Sequence, residues 1–231
     1  MAVPLSLIQQ FRVFEGLPGP ELARISQEAH LILAKSDSIV LARGQQLQHM
    51  HCVVSGQLEL TEHTFSDYAP NYATLWPGDL VGIATLITDR PIAFSVRATA
   101  DTHLMAIPLG YARKLGASQP QFVQNIQNLL VELLERANAE KAVLSISNAY
   151  QRVFAQLYLL SQPQKLGSSS PNPLPKQQDL AQIVNTSRET VSRAIALLLK
   201  AGIITKNGHL IQIHDMTRLM ALAHKGPDAL K

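Results

Sequence analysis

Hydrophobic and polar residues alternate in short runs between about residues 30 and 108. In GQLELTEHT, Leu58 and Leu60 alternate with polar neighbours. In FSVRATA, one face carries apolar or small residues: Phe94, Val96, Ala98 and Ala100. A period of two residues predicts β-strands. Glycines suited to turns fall between the runs: Gly44, Gly56, Gly78 and Gly82. Many short strands at this spacing favour a β-sandwich or jelly-roll barrel.

After residue 119 the hydrophobic period lengthens to three and four residues. The apolar or small positions of this segment are Ile126, Leu130, Leu133, Ala137 and Leu144, with Glu140 as an interruption. This heptad spacing predicts a long helix over residues 119–147. The helix can pack on its own barrel or pair in parallel with the same helix of a second chain, and so short a pattern leaves both alternatives open. We favour the dimer helix.

Two shorter helices are predicted near the C-terminus. In KQQDLAQIV, Leu180 and Val184 lie one helical turn apart, which predicts a helix with one buried face. Asn185 tolerates positive φ and is predicted to end this helix. Thr186 is predicted to cap the next helix, and Glu189, three residues on, to complete a capping box.

The second of these helices has one apolar and one polar side. Val191, Ile195 and Leu198 form its predicted buried face. Polar residues gather at its exposed start: Arg188, Glu189, Ser192 and Arg193. Two helices joined by a tight turn in this way are typical of a helix-turn-helix, whose second helix enters the major groove of DNA. Arginine pairs with guanine, glutamate accepts from cytosine, and hydroxyl groups bind phosphates.

A hairpin is predicted to follow the second helix. The strand-like runs GIITK and HLIQIH are separated by Asn207 and Gly208, a pair that favours a type I′ turn. The hairpin completes a winged helix. Residues 162–175, which are rich in Gly, Ser and Pro, are predicted to form a loop before it.

The distribution of charge agrees with a nucleic-acid partner for the C-terminal part. Residues 148–231 carry ten Lys and Arg against four Asp and Glu, a net charge of +6, whereas residues 1–147 carry ten against thirteen, a net charge of −3. A basic domain of this kind suits a polyanion. A length of 231 residues allows two compact domains.

Composition also predicts the compartment. No apolar run approaches the roughly 20 residues of a bilayer span, and the N-terminus lacks the pattern of a secretory signal. The single cysteine, Cys52, excludes an internal disulfide and an iron–sulfur cluster built from this chain's own cysteines. We therefore expect a cytoplasmic protein.

Several of these segments resemble the family of the bacterial cyclic-AMP receptor protein and the fumarate–nitrate reductase regulator, the CRP/FNR family. The most specific is DLAQIVNTSRETVSRAIALLLKAGII, and WPGDLVG at 76–82 and VRA at 96–98 also match. The resemblance implies an α+β protein. Its predicted parts are an N-terminal β jelly-roll, cyclic-nucleotide-binding-like sensor domain at 1–118, a dimerisation helix at 119–147 and a winged helix-turn-helix domain at 148–231.

The resemblance implies a homodimeric transcription regulator that binds double-stranded DNA at a palindromic, TGTGA-like site and works with RNA polymerase. Arg188, Glu189 and Arg193 match the family's base-reading positions. Asn185 stands where the family usually has glycine. The predicted DNA-binding residues are Lys176, Gln177, Thr186, Ser187, Arg188, Glu189, Thr190, Ser192 and Arg193.

The effector of the first domain stays open. In the cyclic-nucleotide branch of the family, a glutamate binds the ribose and an Arg-Ser pair binds the cyclic phosphate. Here those positions carry Ile83, Ile92 and Ala93, so we do not expect cyclic AMP to bind in the usual way. No cofactor is predicted, and the barrel is either a packed scaffold or a site for another small molecule. The candidate effector pocket consists of Ile83, Ala84, Arg90, Ile92, Ala93 and Phe94.

Histidines offer an alternative function, a haem or metal sensor whose DNA contact is incidental. His49 and His51 share one face of a predicted strand, and His63 and His103 fall on other strands. A cupin-like metalloenzyme is a further alternative, but Ser55 stands where such a site needs a glutamate. We therefore predict neither a metal site nor an enzyme.

Overall fold

The computed structural model describes residues 2–61, 71–161, 176–207 and 210–227. The predicted loop at 162–175 and His63 lie outside these residues. The chain divides into two compact units, of which the first contains Met1–Val131 and the second begins at Glu132. The division falls inside the long helix, and the three-part division at 118 and 147 stays a prediction.

The first unit is a barrel of short strands with helices at its ends. Its elements in chain order are α1 (Leu5–Ile8), a 3₁₀ turn (Arg12–Phe14), α2 (Gly19–Glu28), β1 (His30–Ala34), β2 (Ile39–Leu41), β3 (His49–Ser55), β4 (Leu58–Thr61), β5 (Asn71–Leu75), β6 (Leu80–Val81), α3 (Ile83–Thr88), β7 (Ser95–Ala98), β8 (Thr102–Pro108), α4 (Leu109–Ser118) and the start of α5 (Pro120–Ser145).

The strands of this unit form two antiparallel sheets of four strands each. One sheet has the order β1-β8-β3-β6 and the other the order β2-β7-β4-β5. The chain passes repeatedly from one sheet to the other, and apolar residues of both sheets, such as Cys52, Met105, Leu58 and Val96, share one core. The predicted jelly-roll architecture is confirmed.

The alternation of residues along the strands is confirmed in part. Leu58 and Leu60 are buried, as are Val96 and Ala98, while Arg97 between them is exposed. The second run is shorter than predicted: β7 ends at Ala98, and the amide of Thr99 then donates to the carbonyl of Gln57 at 3.0 Å. Ala100 therefore lies beyond the strand and is exposed, whereas Phe94, before the strand, is half-buried.

The long helix is confirmed and belongs to both units. In its first turns Phe122 and Ile126 are buried in the core of the barrel unit, so this part packs on its own domain. Further along, Leu130, Leu133 and Leu144 are 38%, 40% and 50% exposed. These positions form an apolar face that the rest of the described chain leaves exposed.

The second unit contains the remaining elements around a core of its own. These are α6 (Ala149–Ser161), α7 (Gln177–Ile183), α8 (Arg188–Lys200), β9 (Ile204–Asn207), β10 (Leu210–Ile213) and α9 (Met216–Lys225). Side chains from α6, α7, α8 and α9 meet in the core, among them Phe154, Leu180, Leu198 and Leu219. None of the helices in the described parts of the chain combines the length and apolarity that a bilayer span requires.

The predicted wing is confirmed as an antiparallel pair, but its turn is placed one residue too early. Leu210 pairs with Asn207, so Asn207 belongs to β9 and only residues 208 and 209 remain between the strands. Those two residues lie outside the described parts, and the turn type stays a prediction.

The four glycines that separate the predicted strands all have positive φ, between 80° and 103°. Gly56 has a second constraint. A β-carbon there would lie 2.6 Å from both the carbonyl oxygen of Asp101 and the Cα of Thr102. The turn between β3 and β4 therefore needs glycine for space as well as for its backbone conformation.

We expect Gly56→Ala to lower the free energy of unfolding by more than the roughly 1–3 kcal/mol that the strained φ alone would cost. Gly44→Ala is the matched control, because its φ is also positive but a β-carbon would meet nothing within 4 Å. Urea denaturation of both variants measures the difference. Equal losses would contradict the steric part of the argument.

Candidate nucleic-acid interface

The chain reverses direction in a tight turn between α7 and α8. Asn185 has φ 48°, so the predicted left-handed residue is confirmed. The amide of Thr186 donates to the carbonyl of Ala181 at 2.8 Å, and the amide of Asn185 donates to that of Gln182 at 3.1 Å. These bonds close the end of α7 and direct the chain into the next helix.

The cap of α8 is Ser187 and not Thr186, so the predicted capping box is wrong. The Ser187 side chain accepts a hydrogen bond from the amide of Thr190 at 3.2 Å. The Ser187 and Thr190 hydroxyl oxygens are 3.1 Å apart. Glu189 thus lies two residues after the cap residue and not three, so it does not occupy the position that a capping box requires. The turn takes one residue more than predicted, because Asn185 and Thr186 are both needed to close α7.

The two faces of α8 are as predicted. Val191, Ile195 and Leu198 are buried, and Ala194 joins them. The polar residues at its start are all exposed: Arg188, Glu189, Ser192 and Arg193. The helix therefore presents two guanidinium groups, a carboxylate and a hydroxyl on one accessible surface, a donor and acceptor set that can contact base edges.

Glu189 is held in its ionised form. A hydrogen bond from its own main-chain amide lowers the pKa of the carboxyl group, and bonding to Ser187 and the charges of Arg188 and Arg193 lower it further. The side chain is therefore an acceptor at neutral pH, which is the form that can bind the amino group of cytosine.

The remaining predicted DNA-binding residues surround the start of α8 or begin α7. Lys176 precedes α7 and is exposed, whereas Gln177, Thr186 and Thr190 are half-buried. Ser187 is exposed, although its oxygen already accepts the bond that caps α8. Their contact with DNA stays a proposal.

The candidate effector positions differ in their exposure, and their role stays a prediction. Ile83 and Ile92 are buried in the barrel core, whereas Ala84, Arg90 and Ala93 are exposed. A cavity of about 60 Å³ lies elsewhere in this unit, between the 3₁₀ turn, β6 and α5, and none of these residues lines it. Ligand pockets usually measure about 300–1,000 Å³.

The histidines cluster differently from the prediction. His49 and His51 share a face of β3, with ring centres 6.3 Å apart, and His30 of β1 stacks edge-on against His49 at 5.1 Å. His103 instead lies 3.1 Å from the hydroxyl of Ser55. Burial lowers the pKa of His51 to about 4, so its ring is neutral at physiological pH. In the described parts, no three His, Cys, Asp or Glu side chains are placed to hold a metal ion.

The sequence interpretation missed Arg152 and the capping role of Ser187. Arg152 lies on α6, and its side chain donates hydrogen bonds to the carbonyls of Val184 and Asn185. A Ser three residues before Thr190 could have indicated the cap. Nothing in a single sequence could have indicated Arg152, because its partners are main-chain atoms.

The two units match two domain families. Residues 32–119 match the cyclic nucleotide-binding domain, and residues 151–222 match the Crp-like helix-turn-helix domain. The Cyclic AMP receptor protein of Thermus thermophilus is 29% identical over 189 residues, which cover 80% of this chain and 83% of that protein. The CRP-like cAMP-activated global transcriptional regulator of Mycobacterium tuberculosis is 24% identical over 213 residues, or 90% and 94% of the two chains. The structure of FixK2 from Bradyrhizobium japonicum shares the fold, with a TM-score of 0.70 at 20% identity over 84% of this chain and 96% of that one.

These two domains in this order define a DNA-binding transcription regulator and not an enzyme. The chain belongs to the CRP/FNR family of transcription regulators, so the resemblance seen in the sequence is confirmed.

We expect Ser187→Ala to destabilise the C-terminal unit by about 1 kcal/mol, because the start of α8 loses its side-chain cap. Thr186→Ala should stay within about 0.5 kcal/mol of the parent, since Thr186 caps nothing. Thermal unfolding followed by circular dichroism measures both variants. A larger loss of stability for Thr186→Ala than for Ser187→Ala would contradict this assignment and support Thr186 as the cap.

Proposed function

We propose that the chain is a homodimeric regulator that reads a palindromic, TGTGA-like DNA site without needing cyclic AMP. The observation that carries this proposal is the exposed start of α8, where Arg188, Glu189 and Arg193 stand together above a fully buried opposite face. The proposal places the protein in the cytoplasm and includes RNA polymerase as a partner, as the family resemblance implies, with no contact residues assigned.

Base reading is assigned to the three charged residues. Arginine offers two donors to guanine O6 and N7, and the ionised Glu189 offers acceptors to cytosine N4. The two G·C pairs of a TGTGA half-site offer guanine and cytosine edges to these groups. Lys176 and the hydroxyl groups around the turn suit phosphates, which position the helix but carry no sequence information.

Dimerisation through α5 is supported by its exposed apolar face. Leu130 and Leu133 are exposed to 38% and 40% and Leu144 to 50%, at the spacing of a heptad seam. A parallel pair of such helices would bury these side chains against their copies. Two recognition helices related by a two-fold axis then read two half-sites about 34 Å apart, which is one turn of the double helix.

Independence from cyclic AMP is supported by the barrel core. Ile83 and Ile92, at positions where the family's ligand contacts would stand, are 7% and 5% exposed and pack among other apolar side chains. A cyclic phosphate in such surroundings would lose its hydration without gaining paired donors. The first domain therefore keeps the family's fold as a packed scaffold.

DNA binding tests the base-reading assignment. In fluorescence anisotropy at fixed salt, ligand-free protein should bind a palindrome of two TGTGA half-sites more tightly than a scrambled duplex. Arg188→Ala should cost about 1–3 kcal/mol on the palindrome and much less on the scrambled duplex. Lys176→Ala is the matched control, because a lost phosphate contact weakens both duplexes alike.

Two results would contradict these assignments. Equal weakening of both duplexes by Arg188→Ala would make Arg188 a phosphate contact. A large gain in affinity for the palindrome on adding cyclic AMP would show that the barrel binds the nucleotide and that the scaffold hypothesis is wrong.

The dimer helix is tested by placing a charge on its apolar face. Leu133→Glu should raise the dimer dissociation constant by at least about 100-fold, since each dimer loses two buried leucines worth roughly 1.5 kcal/mol or more apiece. Val131→Glu is the control, because Val131 is 54% exposed and lies off the heptad seam. Analytical ultracentrifugation measures both, and an equal effect of the two variants would place the interface elsewhere.

A further inference from the structure

Four hydrogen bonds join the Arg152 guanidinium to two separate segments of the second unit. Nη1 donates to the carbonyl oxygens of Ile146 at 2.8 Å and Ser147 at 3.0 Å, which connect α5 to α6. Nε donates to the carbonyl of Val184 at 2.8 Å, and Nη2 to that of Asn185 at 2.9 Å, both in the turn before α8.

Both segments lie just beyond the C-terminal ends of helices. The carbonyls at a helix C-terminus lack partners within the helix and form the negative end of its dipole, so a cation is favourable there. The end of α5 at Ser145 and the end of α7 at Ile183 share this one guanidinium. Its planar group has five donors, of which four are used here, and a lysine cannot reproduce that geometry.

The position of Arg152 is itself well defined. Asn148 begins α6 by accepting bonds from the amides of Tyr150 at 2.9 Å and Gln151 at 3.3 Å. The amide of Arg152 donates to the carbonyl of Asn148 at 3.0 Å. The guanidinium therefore projects from the first turn of a capped helix.

We propose that Arg152 is a positioning residue that holds the turn before the recognition helix in a set orientation to the end of α5. The proposal rests on the dimer proposed above, since α5 is the helix that joins the two chains. The orientation of α8 relative to α5 then sets the separation of the two recognition helices, and so the half-site spacing that the dimer accepts. Arg152 therefore affects which half-site spacing the dimer binds, whereas Arg188 and its neighbours determine which bases it binds.

The test compares Arg152→Gln and Arg152→Lys with the parent protein. Arg218→Gln is the matched control, because it removes the same charge from the same unit and only a 3.3 Å bond to the carbonyl of Ala201. Hydrogen exchange of the free protein is measured over residues 144–148 and 183–188. Anisotropy then gives affinities for palindromes whose half-sites are moved apart or together by one and two base pairs.

Both Arg152 variants should exchange at least about tenfold faster in both segments, because each segment loses hydrogen bonds from a charged donor. The parent should prefer one spacing by about tenfold or more, and the variants by less than about threefold. Their preference for TGTGA half-sites over scrambled ones should stay. A residue that only stabilised the fold would weaken all duplexes alike and leave the spacing preference intact.

Three results would overturn the proposal: unchanged exchange, faster exchange in one segment alone, or an unchanged spacing preference in a folded variant. Thermal unfolding establishes whether each variant is folded. If Arg152→Gln does not fold, the test is made with Arg152→Lys, which keeps the charge. If the parent itself binds no palindrome selectively, the proposed function fails. The exchange of the free protein would still decide whether Arg152 links the two segments.

Discussion

The turn from Val184 to Ser187 controls what the second unit presents to its surroundings. Both α7 and α8 must bury an apolar side in one small core, and the turn sets the angle at which they can do so. Its geometry depends on one left-handed residue, Asn185, and on the 2.8 Å bond between Thr186 and Ala181. Because Val191 and Leu198 are buried on one side of α8, the charged residues at its start face solvent.

The first unit also buries apolar side chains in a core of its own. Its barrel uses Ile83 and Ile92 as part of a core shared by both sheets. The long helix continues this core through Phe122 and Ile126 and then leaves it, exposing apolar side chains such as Leu133.

Errors in the sequence interpretation occurred where a decision depended on one residue of register. Thr186 and Ser187 are both good caps, and only the number of residues needed to close α7 selects Ser187. Asn207 and Gly208 are a favoured turn pair, yet the pairing of Asn207 with Leu210 moves the turn along by one. The positions of the histidines likewise depend on register. His30 and His49 lie opposite one end of β8, at Ala106 and Pro108, whereas His103 lies at its other end, opposite Leu33 and Ser55.

The sequence by itself determined the order of the elements and the chemistry of the recognition helix. Periodicity, the charge division and the spacing of Arg188, Glu189 and Arg193 are local properties, readable along the chain. The tertiary structure alone decided that Arg152 links the end of α5 to the turn before α8. The Arg152 side chain contacts main-chain carbonyls, two of which lie more than thirty residues further along the chain. Every residue has a main-chain carbonyl. Such a contact leaves no pattern in the sequence until the chain folds.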